Sequence, residues 1–313
     1  MDFISKVELV EVCPRDGLQN LNKIYDTDTK VKLVNILSES GLKKIEVTGF
    51  VNPKVIPQLS DAEEVFSKID RKSGVVYRGL VPNEYGAKRA IGCAADEILA
   101  LICCSETYNR KNQNMTIQQS LIEMEKIISF AHSANTPVTI ALALAFFCPY
   151  EGMISREKVL NIMEKIIKMG ATKFYLATSS GMADPLQVYR LLKEIKNKWP
   201  NIEIGLHLHN RNGMALANVL ASLNAGVTIF EGSILGLGGG IRMAGDHRVL
   251  GNVPQEDLIH LFNSMGIDCG IKIDVFLETV KKVEEILGYK SSSFVTEGGT
   301  RNDVLVVTKR KWG

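Results

Sequence analysis

Short runs rich in β-branched residues alternate along the chain with longer stretches whose apolar residues recur at three- and four-residue spacing. The short runs predict strands over residues 7–12, 44–48, 75–80, 97–103, 138–145, 173–177, 203–207 and 228–230. The amphipathic stretches predict helices at about 27–40, 61–68, 84–91, 117–134, 155–169, 185–198 and 213–225, with two more at about 254–265 and 274–287. Capping residues such as Ser155 and Asp184 precede several of them, and Gly41 and Gly170 close others. The run EILALICC is almost continuously apolar, as a buried parallel strand should be. Eight strand–helix alternations predict an α/β chain folded as a (β/α)8 barrel with additional C-terminal helices. An open doubly wound sheet is the alternative, but no GxGxxG follows the first strand. The expected organisation is a barrel with its helical extension over 1–288 and a polar tail over 289–313.

Composition narrows the function. Of 313 residues, 45% are hydrophobic, enough for a core and too many for a disordered chain. With 37 basic and 35 acidic side chains the net charge is +2, which argues against a dedicated nucleic-acid binder. No apolar stretch is long enough to span a membrane, and the N-terminus lacks the pattern of a signal peptide. Six scattered cysteines without CxxC spacing suggest a reduced, cytoplasmic setting.

A barrel carries its chemistry at the C-terminal ends of its strands. There the sequence places Arg15, Asp16 and Gln19 after the first strand, Glu46 and Thr48 on the second, and His207, His209 and Asn210 at the seventh. A Gly-rich loop ending at Asn252 follows the eighth. Strand alternation points His207 and His209 to one side. Such a pair is either hydrogen-bonded inside the barrel or holds a metal. With the Asp16 carboxylate and the Asn252 amide it makes a mixed nitrogen–oxygen set suited to Mg²⁺, Mn²⁺, Co²⁺ or Zn²⁺. Arg15 and Asp16 form either a surface salt bridge or a site in which Arg15 stabilises developing negative charge. Glu46 sits in an apolar strand, so it either points outward to a lysine or pairs inward with Arg15 or a ligand. In the loop, Arg242 and His247 are candidates to face a polar substrate.

The blocks EVCPRDGLQN, KIEVTGFVNPKVIPQLSDAEEV, CPYEG, HLHNRNGMALANVLASLNAGV and GNVPQEDL resemble the 3-hydroxy-3-methylglutaryl-CoA lyase family, a branch of the metal-dependent lyase and Claisen-condensing barrels. The resemblance runs from about Val7 to Gly288. It implies a divalent metal held by Asp16, His207, His209 and Asn252, an enolate-stabilising Arg15 supported by Glu46, and a polar role for Gln19. It also implies an acyl-CoA substrate and a homo-oligomer, a dimer or larger. Asn83, Lys54, Lys111 and Asn112 lie in matching blocks near the mouth. Three departures stand out. Gly240 occupies the place of the family's loop cysteine, Thr178–Ser179 replaces an Asp–Thr pair beside the substrate, and Asn210 stands where many members have Asp. Asp16 or a nearby metal-linked group is the candidate general base for the substrate's hydroxyl, and His247 the candidate to replace the cysteine as proton donor. The expected activity is carbon–carbon cleavage of a 3-hydroxyacyl-CoA through an enolate. A metal-dependent aldolase or condensing enzyme on a 2-oxo or hydroxy acid is the alternative, and a non-catalytic metal-binding barrel a third.

Overall fold

The computed structural model describes residues 4–239 and 251–305. Eight strands pair in parallel and close on themselves. In chain order they are β1 (Glu8–Glu11), β2 (Lys44–Gly49), β3 (Val76–Val81), β4 (Glu97–Cys103), β5 (Val138–Ala143), β6 (Lys173–Ala177), β7 (Glu203–His207) and β8 (Ile229–Gly232). The expected barrel is therefore present. β8 runs two residues beyond its predicted end, which brings Glu231 into the strand. An unpredicted helix, Glu106–Gln113, follows β4, and a small hairpin of Phe147–Cys148 with Gly152–Met153 follows β5. Among the described residues no helix is long and apolar enough to cross a membrane.

Two apolar layers hold the fold. The larger lies between the barrel wall and its helices, where residues such as Leu33, Ile98, Met163 and Phe262 are fully shielded. The smaller fills the barrel itself with Val10, Val12, Leu80, Leu99, Ala141, Tyr175 and Ile229. The inner layer shares its space with charge. The register sets Glu46 opposite Arg78, Arg78 opposite Glu97, and Glu231 opposite His207. Lys44 bonds Glu97 at 3.1 Å below them. Part of the polar tail packs back onto the chain before it. Ser293 caps the short helix Phe294–Gly298 and donates to Asp257 at 2.7 Å.

Outside the barrel wall, Glu11 is fully buried and accepts from the backbone N–H of Cys13 at 2.8 Å and of Ile234 at 3.0 Å. Burial pushes its carboxyl up to about 8 from an ordinary 4.5, against the pull of those donors. Glu256, under Leu235, is likewise pushed to about 7 by burial. A folded value above the unfolded one means that the native state keeps a proton the unfolded chain has lost. Stability therefore falls as pH rises from about 4.5 to about 8. Glu11→Gln is expected to flatten the decline in melting temperature across that range. An unchanged slope would show that Glu11 does not contribute to it.

Candidate active site

The site begins where β1 ends. Residues Cys13–Gly17 make one wide turn of π-helical type, with Pro14 at its start, a form common at functional positions. The turn presents Arg15 and Asp16 side by side, both nearly buried. Arg15 Nε donates to Glu46 Oε1, so Glu46 points inward. Arg15 Nη1 donates to Asp16 Oδ1 at 2.6 Å, and Gln19 Nε2 donates to the same oxygen at 2.6 Å. Nη2 of Arg15 is left without a partner among the described residues.

At the end of β7, His207 and His209 face the same side, with their Nε2 atoms 3.0 Å apart. One ring nitrogen of each and an Asp16 oxygen all lie within 4.8 Å of one another. Asn252 is delivered by a backbone bridge to His209, reinforced by Val253 N–H donating to Leu208 at 2.9 Å. Its Nδ2 donates to Asp16 Oδ2 at 2.7 Å and to the Leu237 carbonyl at 2.9 Å. Its Oδ1 is buried with no hydrogen-bond partner among the described residues. An amide oxygen left bare in this way costs ~1–3 kcal/mol, which a cation would offset. Two imidazoles, a carboxylate and that oxygen fit a divalent cation. Space at the site is tight. A Cβ on Gly238, whose φ is +136°, would lie 2.1 Å from Asn252 Nδ2 and 2.7 Å from Asp16 Oδ2.

The electrostatics suit the same purpose. Burial alone would raise Asp16, but Arg15, His207, His209 and the Asn252 hydrogen bond outweigh it and keep the carboxyl below its usual range. Arg15 loses from burial and gains more from Glu46 and Asp16, so it is held firmly charged. Glu231 Oε2 lies 2.9 Å from His207 Nδ1. A carboxylate only accepts, so Nδ1 carries the hydrogen and Nε2 turns its lone pair towards Asp16 and His209. Against burial, Arg78 and His207 keep Glu231 at about 2.

Sequence reasoning had not assigned Glu231 or Arg78 a place in the site. Each is a single charge in an apolar strand, and only the register across strands shows what it meets. Other expected residues divide. Gln19 and Ser179 line a cavity of about 90 Å³ together with Arg15, Asp16 and both histidines. Thr178 accepts from His209 N–H at 2.9 Å and so braces the β7 end. Asn112 lines the cavity, whereas Asn83 caps the helix Glu84–Gly92. Arg242, His247 and Gly240 lie outside the described residues.

Comparison with known proteins places the chain in a family. A sequence profile of the HMGL-like family matches residues 6–283. The hydroxymethylglutaryl-CoA lyase of Bacillus subtilis is 38% identical over 92% of this chain and 95% of its own. The human mitochondrial hydroxymethylglutaryl-CoA lyase is 36% identical over 93% of this chain and 89% of its own. Among solved structures, an HMG-CoA lyase from Acinetobacter baumannii, in complex with coenzyme A and 3-methylmalate, superposes with a TM-score of 0.91 at 35% identity, covering 97% of this chain and 98% of its own.

Proposed function

This chain belongs to the HMGL-like family and is a carbon–carbon lyase, and we propose that it cleaves 3-hydroxy-3-methylglutaryl-CoA into acetoacetate and acetyl-CoA. The observation that carries the reading is the pairing of the Asp16–His207–His209 cluster with a buried Arg15 one residue from its carboxylate. Asp16, His207, His209 and Asn252 would hold a divalent cation, and two oxygen donors without a thiolate admit Mg²⁺ or Mn²⁺ beside Co²⁺ and Zn²⁺. When bound, the ion supplies Lewis acidity that polarises the substrate's hydroxyl and carbonyl oxygens.

The chain's own groups account for the rest. Asp16 already accepts from Arg15, Gln19 and Asn252. That makes it a weak base and a good anionic ligand. The substrate's hydroxyl proton passes to the Asp16 carboxylate, weak base though it is; the O–H electron pair forms the new carbonyl, the bond between the second and third carbons breaks, and its electrons move onto the thioester as an enolate. Arg15 Nη2 faces that charge, while Glu46 fixes the guanidinium plane from behind. Gln19 and Ser179 bind polar groups of the acyl portion, and the apolar wall of Leu80, Leu99 and Ala143 excludes water. His247 delivers the final proton to the departing carbon. Six free cysteines agree with a reducing, cytoplasmic location.

The test is product analysis by mass spectrometry on purified protein with Mn²⁺ and the thioester. Acetoacetate and acetyl-CoA in equal amounts are expected. Intact thioester, with turnover found only on a 2-oxo acid, would favour the condensing alternative. In the same assay His247→Ala is expected to lower turnover and remove one limb of its pH profile. Unchanged turnover and profile would exclude His247 as the donor.

A further inference from the structure

The enolate-facing and metal-facing halves of the site meet at one buried cation. Arg78, on β3, has no exposed surface. Its Nη2 donates both to Glu46 Oε2 and to Glu231 Oε1. The other oxygen of Glu46 holds Arg15, and the other oxygen of Glu231 holds His207. The guanidinium carbon lies 5.1 Å over the Tyr175 ring, which occupies space left by Gly205, where a Cβ would come within 2.3 Å of it.

We propose that Arg78 is a positioning residue that sets Arg15 and His207 jointly, through Glu46 and Glu231. The pattern of bonds argues for this over simple charge neutralisation. Nε and Nη1 of Arg78 have no hydrogen bond among the described residues, and Glu97 stands 3.7 Å from Nη1. The directional bonds are thus concentrated on the two carboxylates that serve the site. A guanidinium clamped by a ring and two carboxylates holds a fixed plane, whereas an ammonium on a flexible stem does not. The inference deepens the lyase reading and rests on it for the role of Arg15.

The experiment compares Arg78→Lys with wild type in two assays. Calorimetric titration of metal-free protein with Mn²⁺ reads the His207 arm. Steady-state kinetics on the thioester reads the Arg15 arm. Arg78→Lys is expected to weaken Mn²⁺ binding and to lower kcat, each by about 10-fold or more, with KM within a few-fold. In a Glu231→Gln background the loss of Mn²⁺ affinity should not recur, because the route to His207 is already cut. A purely structural Arg78 would lower the melting temperature while the folded variant binds Mn²⁺ and turns over as wild type does, and that result, or additive losses, overturns the proposal. Should Arg78→Lys fail to fold, Glu46→Gln and Glu231→Gln decide the matter. Coupling through the shared nitrogen makes their effects on Mn²⁺ affinity non-additive, and simple addition overturns it. Mn²⁺ binding needs no substrate, so an error in the proposed substrate would silence the kinetic arm alone, in wild type as well.

Discussion

Replacing Arg15 with Met is expected to lower kcat about 10³-fold, as loss of a charge-stabilising donor does elsewhere, while Mn²⁺ affinity is kept or rises. The two effects separate for a physical reason. Arg15 bonds Glu46 and Asp16 in the resting site, and Nη2 is the atom left for charge that develops on the substrate. Its removal withdraws a positive charge from beside a metal-binding carboxylate, and the repulsion removed outweighs the lost hydrogen bond because Asp16 keeps Gln19 and Asn252 as donors. Glu46 keeps Arg78 as a partner, so the variant does not strand a buried anion. Arg15→Lys should fall between the two, since it restores charge without the fork that meets Glu46 and Asp16 together. Steady-state kinetics with a parallel Mn²⁺ titration reads both. Loss of metal binding in Arg15→Met, or a near-normal kcat, would show that the arginine serves the site in another way.

His207→Ala is the complementary case. It removes one of the three ligand atoms gathered within 4.8 Å and leaves Glu231 without its imidazole partner. Mn²⁺ affinity should fall by more than about 10²-fold, beyond the range for groups that only orient ligands, and turnover should disappear with it. Calorimetry and circular dichroism on the same sample would separate lost binding from lost fold. Equal affinity in variant and wild type would mean that the ion sits elsewhere.

Much of this is legible in the sequence. Strand–helix alternation alone points to the barrel, and an HxH at a strand end points to a metal. An Arg–Asp pair after the first strand is also visible in one dimension. Residues were missed where their meaning depends on a neighbour from another strand. Nothing in the local sequence around Arg78 or Glu231 says that Glu46 and Glu231 share one Arg78 nitrogen, because those contacts arise from register set by barrel closure. Glu46 was open between an outward and an inward reading for the same reason. The backbone contact of Thr178 is likewise invisible in one dimension, because the N–H that it accepts comes from the end of the adjoining β7. The π-type geometry of the turn after β1 could not be anticipated either, since no local residue pattern marks it.

The most direct test of the account is anomalous diffraction from crystals soaked in Mn²⁺. It predicts one strong peak about 2 Å from His207 Nε2, His209 Nε2, an Asp16 oxygen and Asn252 Oδ1. No peak there, or a peak that Asn252 and Asp16 do not share, would contradict the metal-dependent lyase reading.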